Sequence, residues 1–228
     1  MKILLVSATK LEVAPLLSNF LYRHDIAENF SRYTFEHTHT IDVLITGVSM
    51  VATAFKMGKF LDKSYDVAIN LGICGAFNKN LKIGEVVHVI SDKFSELGVE
   101  DGERFLSLID IDLLEETDYP ITEGELKNNF LLPEEVRKLP QVKGITVNTV
   151  SGMEETVSDL KKRFNPDVET MEGGAFMYAC LKENVPFFQI RAISNYVTQR
   201  DKSTWDIPLA VKNVNETVLG IIEKLVLR

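Results

Sequence analysis

Residues 168–196 read VETMEGGAFMYACLKENVPFFQIRAISNY, and this stretch decides the fold. It carries two polar ends separated by a helical pattern and an apolar run. One end is Met171-Glu172-Gly173-Gly174, a carboxylate followed by two glycines. The other is Arg191-Ala192-Ile193-Ser194-Asn195, polar groups that close the run from Val185 to Ile193. The pattern predicts a helix from about Gly173 to Glu183, a turn at Asn184-Val185-Pro186, and then a strand. That path brings both polar ends back to one edge of a sheet. In open α/β sheets ligands sit at that edge.

The rest of the chain repeats the same grammar. Ile3 to Ser7, Val67 to Leu71, Val86 to Ile90 and Lys143 to Thr149 have strand length, and the first is continuously apolar, as suits a strand covered on both faces. Thr9 is placed to cap a helix carrying Leu11, Glu12, Val13, Leu16 and Leu17. Gly47-Val48-Ser49 opens a second helix through about Leu61. Glu155 to Phe164 forms another, stopped by Asn165-Pro166. From Trp205 onward Ile207, Leu209, Val214, Val218, Ile221, Ile222 and Leu225 recur at helical spacing. Residues 30–46 read as a hairpin. Gly72-Ile73-Cys74-Gly75-Ala76 reads as a glycine turn after a strand. Residues 91–135, acid-rich and containing Pro120 and Pro133, read as a long irregular excursion with little core. Alternating strands and helices predict the α/β class: a three-layer αβα sandwich with a central mixed sheet, in one domain spanning residues 1–228.

The composition narrows the class of function. The 228 residues are 45% hydrophobic and 25% charged, an ordinary globular balance. A net charge of -8 and the lack of a basic stripe argue against a nucleic-acid polymer as partner. No stretch approaches the roughly 18 apolar residues of a membrane span. Met1 to Val6 is too short for a signal peptide and suits a first strand. The two cysteines, Cys74 and Cys180, lie in apolar surroundings, which points to reduced thiols and a cytoplasmic protein. The four histidines form no convincing metal-ligand set with them.

The Met-Glu-Gly and Arg-Ala-Ile-Ser-Asn segments resemble those of the nucleoside phosphorylase and nucleosidase superfamily. There the first grips the ribose and the second grips the purine. Within that superfamily the chain is most similar to the futalosine hydrolase family of menaquinone biosynthesis. The grounds are Ser194-Asn195-Tyr196-Val197, the following Gln199-Arg200-Asp201, and an N-terminus ending in Glu12. The resemblance implies hydrolysis of the N-glycosidic bond of futalosine, releasing hypoxanthine and dehypoxanthine futalosine. It implies a nucleoside and water as partners, no cofactor, no metal, and a homodimer or higher homo-oligomer. The alternatives are a purine nucleoside phosphorylase, a methylthioadenosine/S-adenosylhomocysteine-type nucleosidase, and a non-catalytic nucleoside sensor.

Cleaving a purine N-glycosidic bond needs a stabilised leaving base, an activated water, and a grip on a sugar that becomes cation-like. The resemblance gives Glu12 the water and Glu172 the ribose hydroxyls. An ionised carboxylate only accepts, so it can hold two hydroxyl protons. The plain alternative for either glutamate is a first-turn carboxylate favouring its helix dipole. Glu169, three residues before Glu172, competes for the same register, because Thr170 is extra relative to the common Val-Glu-Met-Glu form. Asn195 points to a 6-oxopurine: its amide donates to a 6-oxo oxygen while its carbonyl faces a protonated N7. Arg191 is expected to orient Glu12 or the water. Met171 is expected against the sugar, Gly47 near it, and Cys74 and Gly75 along base and ribose. Val150 is expected to offer backbone groups to the purine, Ser194 to belong to the base-binding segment, and Arg200 to meet an aryl carboxylate at the far end.

Overall fold

The computed structural model describes residues 1–102 and 104–227. In chain order, β1 (Lys2–Ser7) and α1 (Lys10–Leu17) lead into a meander of β2 (Leu21–Ala27), β3 (Phe30–Phe35) and β4 (His39–Ile45). Then come α2 (Met50–Phe60), β5 (Val67–Ala76) and β6 (Val86–Phe94). A peripheral stretch holds β7 (Gly98–Asp101), β8 (Arg104–Ser107), β9 (Ile121–Thr122), β10 (Glu125–Lys127) and the single turn α3 (Glu134–Arg137). The chain closes with β11 (Gln141–Thr146), α4 (Glu154–Phe164), β12 (Val168–Thr170), α5 (Gly173–Glu183), β13 (Phe187–Tyr196) and α6 (Ile207–Val226).

Eleven of these strands form one mixed sheet, and β7 and β8 pair separately. The strands β4, β1, β5 and β13 run parallel in the middle. Beyond them the sheet curls back on itself. β5 pairs with β13 along its length and with β12 at its end. β12 pairs with β11, β11 with β6, and β6 with β13. Five strands thus close a ring at one side of the sandwich.

The apolar run of β1 is continuous because both faces are covered. Ile3 and Leu5 join α1 and α6 through Val13, Leu16, Val214 and Val218. Leu4 and Val6 face the other way, toward Met57 of α2 and Phe176 and Cys180 of α5. The three layers expected from the alternation are therefore present. Both cysteines are buried and free, and burial pushes the Cys74 thiol up to about 12.

Four sequence expectations change. β2 was not foreseen: its residues are nearly all exposed, so no burial pattern marks it. The glycines of 72–76 lie inside β5 rather than in a turn after it. Residues 91–135 are less irregular than they read: β6 runs to Phe94, and Asp92, Ser95 and Leu126 are buried. The strand expected at Lys143–Thr149 starts at Gln141 and ends at Thr146. Among the described residues no helix is long and apolar enough to cross a membrane.

His88 on β6 is fully buried, edge-on to the Phe188 ring, and neither ring nitrogen has a hydrogen-bond partner. Burial disfavours the imidazolium and pulls its pKa down to about 4 from 6.5. Above about pH 6.5 neither folded nor unfolded chain holds this proton. Between 6.5 and about 4 only the unfolded chain takes it up, so stability falls as pH falls, by at most ~3 kcal/mol. Urea unfolding of wild type and His88→Leu from pH 7.5 to 4.5 should show that slope flattened in the variant. An unchanged slope would mean His88 is not its source.

Candidate active site

A cavity of about 270 Å³ opens where β1, β5 and β13 end. Its walls include Glu12, Glu169, Glu172, Ser194, Asn195 and Trp205. This is the sheet edge to which the residue 168–196 pattern points.

Glu12 is fixed by the way α1 begins. Thr9 is the N-cap, and its backbone N–H and Oγ1 both donate to Glu12 Oε2, at 3.0 and 2.8 Å. This reciprocal cap is the sequence signature Thr-x-x-Glu made real. The other oxygen, Oε1, accepts the Ile73 backbone N–H at 3.1 Å. A strand residue that contributes no polar side chain thus still holds the carboxylate. Gly72 is needed beside it. A Cβ there would stand 2.6 Å from Glu12 Oε1 and 2.5 Å from Arg191 Nη1.

Glu172 is the N-cap residue of α5, and its Oε1 accepts the Ser49 backbone N–H at 3.2 Å. Ser49 sits in the β4–α2 turn in a strained, positive-φ conformation at 124°, which aims that N–H across to α5. Burial raises the Glu172 pKa, the Arg191 charge opposes the rise, and the Glu12 charge adds to it. Two buried carboxylates therefore line this end of the cavity, with one guanidinium behind the wall.

The other end is made by a bulge. Ile193 pairs with Cys74, but Asn195 pairs with Gly75, so Ser194 is an extra residue in β13. A regular strand alternates its side chains between faces. Here consecutive residues, Ser194 and Asn195, both line the cavity, as a bulge permits. Ser194 Oγ donates to Asn195 Oδ1 at 2.7 Å, and Asn195 Nδ2 donates to the Tyr196 carbonyl at 3.2 Å. The amide keeps one hydrogen and one lone pair for a ligand. Glu169 lies close by: a Cβ on Gly75 would be 3.4 Å from both Glu169 Cγ and Asn195 Nδ2. Its Oε1 accepts the Ser151 N–H at 3.1 Å, its Oε2 is buried without a partner, and burial pushes its pKa up to about 7.

Of the residues singled out in the sequence, Glu12, Cys74, Gly75, Val150, Met171, Glu172, Ser194 and Asn195 line this cavity. Arg191 does not; it lies fully buried behind the wall. Gly47 does not either: its φ of 86° makes the turn that presents Val48 instead. Arg200 stands outside, its guanidinium 6.0 Å from the centre of the Trp205 ring, which does line the cavity. Sequence reasoning treated Glu169 only as a rival to Glu172, whereas each occupies its own end. It also took Trp205 as a helix start and not as a wall.

Residues 2–227 match the family model for the phosphorylase superfamily. A futalosine hydrolase of Acidothermus cellulolyticus is 31% identical, over 81% of this chain and 76% of its own length. A 5'-methylthioadenosine/S-adenosylhomocysteine nucleosidase of Haemophilus influenzae is 28% identical, over 99% of this chain and 100% of its own. Among solved structures, the futalosine hydrolase of Helicobacter pylori superposes with a TM-score of 0.83 at 16% identity, covering 98% of each chain.

Two buried carboxyls can be followed by titration: Glu169 in the cavity wall and Asp92 in the core outside it. Burial pushes both Asp92 and Glu169 up to about 7. Each folded-state pKa is raised, so the stability these groups contribute is complete below the usual carboxylate range and lost as pH rises through 7. A carbon-13 carboxyl titration should show both groups changing near pH 7, and Glu169→Gln should remove one of them. A variant spectrum that keeps both transitions contradicts the assignment.

Proposed function

The chain belongs to the phosphorylase superfamily and is a hydrolase acting on N-glycosyl bonds, and from that premise we propose that its substrate is futalosine, cleaved to hypoxanthine and dehypoxanthine futalosine in the menaquinone route. The observation that carries this reading is Asn195. It stands at the bulge as a carboxamide whose oxygen faces Ser194 and whose nitrogen keeps a free hydrogen. That hydrogen suits the 6-oxo oxygen of hypoxanthine, and the second lone pair of the oxygen suits a protonated N7.

The chemistry follows from the two ends. Water attacks C1′ as the bond from C1′ to N9 breaks; the electron pair leaves with the purine, which carries a proton taken from solvent at N7 and so departs neutral. Glu12 takes the proton of that water; its two oxygens are already held by Thr9 and Ile73, so it needs no reorganisation. Glu172 accepts from the ribose hydroxyls as positive charge grows on the sugar. Arg191, buried behind both, balances the two carboxylates. Arg200 stands beside Trp205 of the cavity wall, and in this reading it is the two-pronged partner of the aryl carboxylate on the 5′ group. A phosphorylase would need an anion site where Glu12 stands, and Lys10 is the only cation in the Ser7–Lys10 turn.

The test is one panel of initial rates, with and without phosphate, on futalosine, its 6-amino analogue, inosine and methylthioadenosine. Leaving one buried polar group unpaired costs roughly 1–3 kcal/mol, so the 6-amino analogue should react about ten- to a hundredfold more slowly. Asn195→Asp should narrow or reverse that preference and make it pH-dependent, because only the protonated acid donates. Glu12→Gln should lose ~10²–10⁴-fold in kcat, Glu172→Gln should lower kcat more than it raises KM, and Arg200→Ala should spare inosine. Equal wild-type rates on both purines, or a requirement for phosphate, would sink the futalosine reading.

The homo-oligomer expected from the resemblance is also part of this reading. Val51 and Phe55 of α2 are exposed, at 72% and 66%, beside a cavity of about 490 Å³ between α2 and α5. An apolar face of that kind suits a second copy of the chain. Sedimentation velocity should find a dimer or larger; a monomer at micromolar concentration argues the other way.

A further inference from the structure

Asp92 on β6 is fully buried, and it does not line the cavity. Two lines of hydrogen bonds start from its carboxylate. Through Oδ1 it accepts from Thr146 Oγ1 at 2.8 Å, and that hydroxyl accepts the Gly174 N–H at 2.6 Å, in the first turn of α5. Through Oδ2 it accepts from Gln189 Nε2 at 3.4 Å; Gln189 Oε1 accepts from Arg191 Nε at 3.4 Å. Arg191 Nη2 then donates to Asn70 Oδ1, and Asn70 Nδ2 to the Val6 carbonyl at 3.0 Å. The chain crosses the core from β6 through β13 and β5 to β1.

The direction of every bond in the second line is set by its ends. Above about pH 7 Asp92 is ionised and only accepts, while a guanidinium only donates. Gln189 between them therefore has one usable orientation, nitrogen to Asp92 and oxygen to Arg191. The first line pins the helix turn that follows Glu172. Gly173 leaves no space there: a Cβ would stand 2.6 Å from Asp92 Oδ2 and 2.7 Å from Thr170 Oγ1. One carboxylate thus reaches both the helix start that carries Glu172 and the cation that balances it.

We propose that Asp92 is a positioning residue for the ribose end of the site, acting through Thr146 on α5 and through Gln189 on Arg191. The proposal rests on the roles given to Glu172 and Arg191 above. Asp92→Asn keeps the shape and removes an acceptor. If its new amide faces Gln189, that side chain must turn over, and its nitrogen then meets the donating Nε of Arg191. Adding Gln189→Glu supplies an acceptor to both neighbours and restores the line.

The experiment uses the nucleoside that the wild type cleaves fastest and normalises kcat to folded protein. Asp92→Asn should lower kcat about tenfold with little change in KM, the cost of one mispaired buried hydrogen bond. Its melting temperature should stay level or rise, since a buried carboxylate is expensive to keep. The double variant Asp92→Asn, Gln189→Glu should recover most of the lost kcat. Thr146→Val cuts only the line to α5 and should give the same split between kcat and KM. Wild-type kcat in both Asp92→Asn and Thr146→Val, or a double variant no better than the single, overturns the proposal. If that happens while Glu172→Gln is impaired, only this inference fails. A wild type that cleaves none of the nucleosides overturns this inference and the reading beneath it together.

Discussion

The burial of the Arg191 guanidinium is the constraint on which the rest depends. It is fully buried in the middle of the sheet. A charge in that position is tolerated only where it is paired and its hydrogens are taken up. The acceptors come from Asn70 on β5 and Gln189 on β13, and the opposing charge comes from the Glu12 and Glu172 end of the cavity. Gly72 follows from the same need, because any side chain there would occupy the space of the guanidinium and of Glu12. The parallel pairing of β5 with β13 sets Arg191 opposite Gly72. Moving that register by one residue would put a branched side chain against the charge and turn Arg191 to the wrong face.

The second constraint is the place where that register breaks. Up to Ile193 and Cys74 the pairing is regular; at Ser194 an extra residue enters. Below the break β13 supplies core, with Ile190 and Ala192 toward α6. Above it the strand supplies neighbouring polar side chains to one cavity. The same ten residues thereby serve packing at one end and recognition at the other. The closure of the sheet into a ring supports this, since β12 pairs with the end of β5 and carries Glu169 to the other side of Gly75.

The proposed division of labour follows from these two constraints. The ribose end is charged, with carboxylates held by backbone N–H groups of Ile73 and Ser49 and balanced by a buried cation. The base end is a carboxamide beside a hydroxyl and a carboxyl whose pKa burial pushes up to about 7. A sugar acquiring positive charge and a neutral departing lactam call for those two environments.

The sequence by itself determined a good deal. Continuous apolar runs marked the strands covered on both faces, and the periodicity of α5 and α6 marked the helices. Thr9 announced a helix cap, although that Glu12 answers it reciprocally was seen only in the structure. Met171-Glu172-Gly173 and Arg191-Ala192-Ile193-Ser194-Asn195 announced a shared site, because a helix and a strand of those lengths must return to the same edge. These are local signals, carried by residues a few positions apart. Other features were decided only by the tertiary structure. β2 has exposed residues and no burial pattern, so nothing but its pairing with β3 makes it a strand. The glycines of 72–76 read as a turn and became strand, because Arg191 and Glu12 arrive from distant parts of the chain to fill the space they leave. Asp92 looked like one more acid in an irregular stretch. Its burial, and its line of hydrogen bonds through Gln189 to Arg191, exist only because β6, β11 and β13 lie side by side. Periodicity reports which face of an element is covered; it cannot report what distant segment does the covering.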